Sequence, residues 1–499
     1  MEALLTRLQM RTADEKAIQT FHLPELLLME HAALALVQAL ESRFSTSLKN
    51  THGVVLAGPG NNGGDVLAAV RLLLEKGCAL TVVCPPSAKV SATCAAQRDL
   101  LQAAKAVVVD ALAPGLLEKS DWVLDGLMGI GLDRPLAKPL CDLIEEVNTF
   151  ANRIWIVSAD IPSGLCADTG RALPCAIRAS ETVTFGFYKR GLVTGDAAAF
   201  VGKLRLAPIQ IPRQCAPQEP EALLFTANDA HLPERGKASH KGDFGKVAVI
   251  AGPTDKEGAA ALAALGVLRA GAGLVTVFAR AETLASLRPR LAAEIMTAEL
   301  SAYQNGFAAT VVGPGLGDDW KTVERVLAGS GAVVLDADAL GLLVANESKA
   351  HALLRTRKAP TVLTPHPKEA GRLLGVHTDA VQADRYGSIR ALQTKWQCAV
   401  ILKGAGSLCT VGDGPILAVP FGDAGLAKGG TGDVLAGVLA SFLAQGIEPA
   451  LALPLAVCAH GTASERLTEA YGHTRSTLAS EVANRIANVL SEWECRPSK

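Results

Sequence analysis

Aromatic residues are scarce in this 499-residue chain, with Phe, Trp and Tyr together at 4%. So thin a supply argues against the stacked aromatic platforms of single-strand binders. Neither sign of charge is in excess: 48 Lys and Arg face 49 Asp and Glu, for a formal net charge of −1. With no basic block, the chain lacks the footprint of a nucleic-acid or anionic-membrane binder. No uncharged apolar run reaches the ~18 residues of a spanning helix. The most apolar stretch, Gly258 to Ala279, is broken by Arg269 and rich in glycine. Eleven cysteines, spread from Cys78 to Cys495, include no C-x-x-C pair. That odd, dispersed set is neither a zinc ribbon nor a disulfide framework and suits a reduced compartment. The opening Met1-Glu2-Ala3-Leu4-Leu5-Thr6-Arg7 has early charges and no apolar core, so no signal peptide is read. A soluble, cytoplasmic protein with no membrane and no nucleic-acid partner is the expectation.

Apolar residues, at 49%, and 47 glycines are what the chain has in quantity. The length predicts roughly two to four domains, and the composition supports sizeable cores. Short β-branched runs alternate with helical patterns twice over. The first series has Val54-Val55-Leu56, a helix from about Asp65 to Lys76, then Leu80–Val83, Val107–Val109, Trp122–Leu124 and Ile154–Val157. Strands apolar on both faces read as a parallel sheet covered by helices, a Rossmann-like sandwich. Between Leu206 and Pro220 four prolines block both helix and central strand. This predicts two α/β domains, residues 1–216 and 221–499. The second series begins at Lys246–Gly252 and continues through Leu274–Val277, Thr310–Val312, Val333–Leu335 and Val400–Leu402. Helical stretches near Asp433–Gln445, Ala450–Thr468 and Leu478–Glu492 close the chain.

In the first domain Gly58-Pro59-Gly60-Asn61-Asn62-Gly63-Gly64-Asp65 follows a strand and opens a helix. It contains G-x-G-x-x-G, but a dinucleotide site also needs an acidic residue about 20 positions on to hold the ribose. The next strand ends Val82-Val83-Cys84-Pro85 instead, which argues against a dehydrogenase. Asp125-Gly126-Leu127-Met128-Gly129-Ile130-Gly131-Leu132-Asp133-Arg134-Pro135 and Asp160-Ile161-Pro162-Ser163-Gly164 also sit at strand ends. In a parallel sheet such loops meet at the carboxyl edge, where they can hold a ribose, a pyrophosphate or a hard cation.

In the second domain, Ala427-Lys428-Gly429-Gly430-Thr431-Gly432-Asp433 is the strongest signal. A glycine run at a helix start offers free amides where the macrodipole favours phosphate. Asp433 would repel that phosphate unless it takes the proton of a hydroxyl attacking phosphorus; the plainer alternative is an N-cap. Lys403-Gly404-Ala405-Gly406-Ser407 can wrap a nucleotide's phosphates or ribose. His366-Pro367-Lys368-Glu369 places a carboxylate near a helix start, suited to Mg²⁺ through water. Gly313-Pro314-Gly315-Leu316-Gly317 gives a backbone surface open to a flat ring or sugar. The absence of a Walker A lysine motif excludes a P-loop kinase.

The set G-P-G-N-N-G-G-D, D-x-x-x-G-x-G and D-I-P-S-G-L-x-A-D-T-G, the last at Asp160–Gly170, resembles the NAD(P)H-hydrate epimerase domain. That resemblance, from Leu28-Met29-Glu30 through Tyr188-Lys189 to Pro212, implies substrate contacts at Asn61, Asn62, Gly63, Gly64 and Asp65. It implies others at Gly129, Ile130, Gly131, Leu132, Asp133, Arg134, Pro135 and Asp160, and K⁺ near Asn62, Asp125 and Ser163. Val66 stands where the family usually has a second glycine after the aspartate, and would narrow the nicotinamide end. His31 stands where the family usually has Asn. Asp160 is expected to act as acid and base near C6 of the hydrate, or to orient the loop or ribose.

The motifs G-G-T-G-D, H-P-x-E and G-P-G-L-G resemble the ribokinase-like superfamily, and within it the ADP/ATP-dependent NAD(P)H-hydrate dehydratases. This implies hydrate contacts at Ala260, Gly317, His366 and Asp433. It implies nucleotide contacts at Lys403, Gly404, Ala405, Gly406, Ser407 and Gly432. The two resemblances name successive steps of one repair: epimerisation of NADH hydrate and NADPH hydrate, then dehydration driven by ADP or ATP. A homo-oligomer is expected. The rival expectation is a vitamin-precursor kinase fused to a nucleotide-binding domain.

Overall fold

The computed structural model describes residues 1–253 and 255–494; Cys495 lies outside the described residues. The chain divides into two compact units, Glu2–Ala222 and Leu223–Lys499, the latter taking in Met1.

The N-terminal unit is built on a seven-stranded sheet. Its order is Val108–Val109, Ala79–Val83, His52–Ala57, Trp122–Gly126, Trp155–Ala159, Glu181–Phe185 and Lys203–Ala207. All pairings are parallel. Side chains alternate along each strand. Val55 and Ala57 join the core under helices Glu25–Phe44 and Asn61–Glu75, while Val54 and Leu56 join Ile144 and Val147 of helix Lys138–Asn148. Both faces are therefore covered, as the doubly apolar strands require. The chain runs outward from His52–Ala57 to one edge and then returns to its other side at Trp122–Gly126. The loops after these two strands diverge there, which opens the crevice where α/β proteins take ligands.

The helix expected from about Asp65 in fact begins at Asn61. Gly63 and Gly64 lie inside its first turn because neither site has room for a side chain. A Cβ on Gly63 would lie 1.9 Å from the Gly58 carbonyl oxygen, and one on Gly64 2.4 Å from Met29 Cε. Leu206 and Ala207, read as linker, instead complete the edge strand Lys203–Ala207; the proline-rich stretch beyond it holds only the short 3₁₀ turn Arg213–Cys215.

The C-terminal unit has strands ordered Met296–Glu299, Leu274–Ala279, Lys246–Ile250, Ala309–Val312, Ala332–Leu335, Thr361–Leu363 and Ala399–Leu402, all parallel. The antiparallel hairpin Ser407–Thr410 and Ile416–Val419 extends them. The switch point lies between Lys246–Ile250 and Ala309–Val312. Their loops touch backbone to backbone: a Cβ on Gly252 would sit 1.5 Å from the Gly315 oxygen. Val247, Val249 and Val311 share one core with helices Glu257–Arg269, Thr431–Ala444, Pro449–Tyr471 and Ala479–Glu494. Among the described residues no helix is long and apolar enough to cross a membrane.

Candidate active sites

At the switch point of the N-terminal unit, oxygen atoms gather around Asp125, which is fully buried. Its Oδ2 accepts from Ser158 Oγ at 2.8 Å and from the Ser163 amide at 2.9 Å, and its Oδ1 from Ser163 Oγ at 2.5 Å. Burial pushes the Asp125 carboxyl up, against the pull of the Ser163 and Ser158 donors. Beside it, Asn62 Nδ2 donates to the Met128 carbonyl at 2.9 Å. Asn62 Oδ1 is buried and has no hydrogen-bond partner among the described residues. An orphaned carboxamide oxygen beside a carboxylate, a hydroxyl and a carbonyl is a donor set that fits a large hard cation.

Asp160 ends the strand Trp155–Ala159 with φ of +63°, a conformation unusual for a residue with a side chain. The turn aims its carboxylate at Lys189, which is buried. Lys189 Nζ donates to Asp160 Oδ1, and also to Thr184 Oγ1 at 3.0 Å and the Phe185 carbonyl at 2.7 Å. The Phe185 amide and Thr184 hydroxyl add donors to the same Asp160 oxygen, at 3.0 and 3.3 Å. Two further carboxylates share this electrostatic neighbourhood. Asp65 is held well above the usual carboxylate range by burial and by Asp160. Asp14, on helix Arg7–Gln19, is pushed by burial up to about 7, with Lys189 pulling it down and Asp160 pushing it up. Asp14 and the role of Lys189 were not found from the sequence, since neither sits in a glycine loop.

The loop Gly129–Pro135 lies alongside. A Cβ on Gly129 would lie 3.2 Å from Asn62 Cβ, and Arg7 holds Asp133 through an ion pair of 3.0 Å. Ile130 is half-buried and Leu132 buried, whereas Gly131, Asp133, Arg134 and Pro135 are exposed. Asn61 is exposed and spans Glu25 and Thr93 by hydrogen bonds of 2.6 and 3.1 Å. Val66 does not narrow the pocket as expected. It is fully buried, its γ carbons 2.6 Å from where a Cβ on Gly126 would be, so it packs beneath the strand end. His31 keeps a buried Nδ1 without a partner among the described residues.

In the C-terminal unit the glycine turn ends on Gly430, at φ +92°, where helix Thr431–Ala444 begins with no side-chain cap. The Thr431 hydroxyl donates back to the carbonyls of Leu426 and Lys428, both at 2.9 Å, and so shapes the turn rather than capping it. Asp433 is the third residue of this helix, and it does not cap it. Burial, then Asp336, hold its carboxyl up at about 7, against the pull of Lys403. Lys403 Nζ donates to Asp336 Oδ1 at 2.7 Å and lies 3.3 Å from where a Cβ on Gly432 would be. Burial works against the Lys403 ammonium, yet Asp336 and Glu369 more than offset it and keep the group above its usual value. Lys428 Nζ donates to the Arg475 carbonyl at 2.5 Å.

Gly404, Ala405 and Gly406 form the turn between Ala399–Leu402 and Ser407–Thr410, the first two exposed and Gly406 half-buried, and Ser407 Oγ donates to the Gly404 carbonyl at 3.0 Å. From below, the buried Arg385 guanidinium donates to the carbonyls of Leu402, Lys403 and Gly406, each at 3.3 Å. Burial lowers that group to about 10. This brace is not legible in the sequence, because Arg385 joins the loop only through the fold. Gly317 donates its amide to Asp338 Oδ2 at 2.9 Å.

Glu369 closes a capping box: its Oε2 accepts from the His366 amide at 2.8 Å, while His366 Nδ1 accepts from the amides of Lys368 and Glu369. One carboxylate oxygen is thus committed to the helix start, while Oε1 lies 3.4 Å from His366 Nε2. Among the described residues no cluster of His, Cys, Asp or Glu could hold a metal by itself. Ala260 is fully buried in the helical core and presents no surface to a substrate.

The model of the YjeF-related protein N-terminus matches residues 25–191, and that of NAD(P)H-hydrate dehydratase matches 247–488. The bifunctional NAD(P)H-hydrate repair enzyme of Moorella thermoacetica is 32% identical, over 98% of this chain and 97% of its own length. That of Coxiella burnetii is 34% identical over 97% and 98%, and that of Escherichia coli 33% over 96% and 92%. A crystal structure of the ADP/ATP-dependent NAD(P)H-hydrate dehydratase from Bacillus subtilis is 31% identical, covering 53% of this chain and 95% of that one, with a TM-score of 0.48. Two families of motif, on two separate sheets, thus meet in relatives that match the chain almost end to end, and the chain belongs to the bifunctional NAD(P)H-hydrate repair enzymes.

Proposed function

We propose that the N-terminal unit interconverts the R and S hydrates of NADH and NADPH at C6, and that the C-terminal unit returns the S hydrate to NAD(P)H at the expense of ADP or ATP. The observation that carries the second step is Asp433, with a carboxyl at about 7, in the first turn of an uncapped glycine helix start beside Lys403. A carboxyl tuned near neutrality is matched to take a proton from an alcohol. Asp433 takes the C6 hydroxyl proton as that oxygen attacks the terminal phosphorus of the nucleotide. The amides of the Gly429–Gly432 turn and the Lys403 ammonium receive the transferred phosphoryl charge. Lys403, Gly404, Ala405, Gly406 and Ser407 form the nucleotide's side of the site, and His366 and Gly317 the hydrate's. The ring nitrogen then expels phosphate, a better leaving group than hydroxide, and loss of a C5 proton restores the dihydropyridine. Mg²⁺ enters with the nucleotide's phosphates, as is usual for phosphoryl transfer.

In the N-terminal unit, Asn61, Asn62, Gly63, Gly64 and Asp65, with the 129–135 loop, form the wall against which the hydrate lies. Asn62, Asp125 and Ser163 would hold K⁺, which supplies a fixed positive charge to the loops that frame the crevice. Asp160, in its ion pair with Lys189, places negative charge where cleavage of the exocyclic C6–O bond develops an iminium cation. The test is direct: racemic NADH hydrate is incubated with Mg²⁺, K⁺ and ADP or ATP, and NADH absorbance is followed. Recovery of both epimers, with phosphate release equal to NADH formed, supports both halves. A stable phosphorylated product would return the chain to the vitamin-kinase class.

A further inference from the structure

Asp14 lies outside every glycine loop and outside the 25–191 segment that the N-terminal family model matches. Its helix, Arg7–Gln19, nevertheless forms a wall of the same crevice. Arg7 and Arg11 reach the Gly129–Pro135 loop: Arg7 Nη1 lies 3.5 Å from the Gly131 carbonyl, and Arg11 Nη2 3.8 Å from where a Cβ on Gly131 would be. Met10 Cε lies 3.0 Å from where a Cβ on Gly186 would be, next to the Phe185 that brackets Lys189. Positions 7, 10, 11 and 14 follow helical spacing, so Asp14 stands one turn beyond these contacts on the same face. Within its electrostatic reach are Lys189, Asp160 and Asp65 from the sheet edge and glycine helix, Glu25 from the next helix, and Glu15 on its own. No hydrogen bond or ion pair engages its carboxyl among the described residues, whereas Asp160 is bound at one oxygen by three donors.

We propose that Asp14 is the proton-transferring residue of the epimerase site, with Asp160 as the fixed anion beside it; this rests on the epimerase function proposed above. In the forward step the Asp14 carboxylic acid gives its proton to the C6 hydroxyl oxygen. The C6–O bond breaks with its electron pair leaving on water, and the N1 lone pair forms the C6=N1 bond of the iminium. Water then adds to the opposite face: its lone pair forms the new C6–O bond, N1 regains its pair, and the released proton passes to a second carboxylate of the cluster. Exchange with solvent restores both groups. A carboxyl at about 7 holds appreciable acid and base forms at neutral pH, as a reversible proton shuttle requires.

The experiment is Asp14→Asn in the full chain. R-to-S interconversion is followed by separating the hydrates, with the spontaneous rate subtracted, from pH 5.5 to 8.5. The expected loss is about 10²–10⁴-fold in kcat, with S-hydrate dehydration by the other unit unchanged and KM for the R hydrate little altered. The wild-type rate should show a pH limb near 7 that the variant lacks. Asp14→Glu keeps an ionisable group and should retain a limb at a shifted pH, which decides the matter if Asn unfolds the unit. Interconversion by Asp14→Asn within threefold of wild type, or an unshifted limb in Asp14→Glu, overturns the proposal. A wild-type chain that never interconverts the hydrates overturns the epimerase function instead.

Discussion

Each unit carries a lysine–aspartate ion pair at the carboxyl ends of its strands, and beside it a carboxyl raised to about 7. The pairs are Lys189–Asp160 and Lys403–Asp336; the raised groups are Asp14 and Asp433. The paired aspartates have their charge compensated, and the unpaired ones are left poised. Asp433→Asn tests the poised role in the C-terminal unit. The amide keeps the size of the carboxylate, so the helix start and the Gly429–Gly432 amides survive. Turnover of the S hydrate should fall about 10²–10⁴-fold while nucleotide Kd stays equal or tightens slightly. A loss of affinity that matches the loss of rate would make Asp433 a binding residue. Wild-type dehydration should rise with pH through about 7, as the base form appears. Stability has the opposite sign. A carboxyl raised in the folded state contributes stability below its unfolded value, and that contribution is lost as pH rises through about 7. Asp433→Asn should therefore melt a few degrees above wild type at pH 8, with a smaller gap at pH 5. Asp433 was legible in the sequence because a negative charge inside a phosphate cradle demands a reason. Asp14 was not, because residues 14, 65, 160 and 189 come within electrostatic reach of one another only once the sheet has formed.

At the scale of elements, the glycine loops were legible as ligand loops but less so as structure. Their glycines serve close approach as much as positive φ. Gly63 and Gly64 belong to a helix, and their missing side chains let that helix touch the Gly58 carbonyl and Met29. Strands such as Thr361–Leu363 and Ser407–Thr410 went unread, being too short to show a period. The same small-residue logic governs helix Thr431–Ala444. A Cβ on its Gly437 would lie 2.0 Å from the Ala263 carbonyl oxygen of helix Glu257–Arg269, and one on Gly266 2.5 Å from the Val434 carbonyl. Gly437→Ala must push these helices apart and should destabilise the unit by about 1–3 kcal/mol. Because Asp433 is one turn away on that helix, dehydration should fall while R-to-S interconversion is kept. Unchanged melting together with full dehydration would mean that the crossing is not the determinant of where Asp433 sits.

At the scale of the whole molecule, the sheets of the two units have separate switch points, and each set of site residues lies within one unit. The division falls at Ala222–Leu223, beyond the four prolines from Pro208 to Pro220 that suggested a boundary between residues 216 and 221. Separate sites that exchange a freely released intermediate should complement in trans. Full-length Asp160→Ala should repair only the S half of a racemic hydrate at the catalysed rate, with the R half draining at the spontaneous rate. Full-length Asp433→Asn should equilibrate the hydrates and form almost no NADH. Mixed in one tube, the two variants should convert the whole racemate, because S hydrate made on one chain reaches the intact dehydratase of the other through solution. The rate of the mixture should rise with the concentration of either variant. NADH recovery that stalls near half in the mixture, while wild type runs to completion, would mean that the hydrate passes between sites of one chain without leaving it.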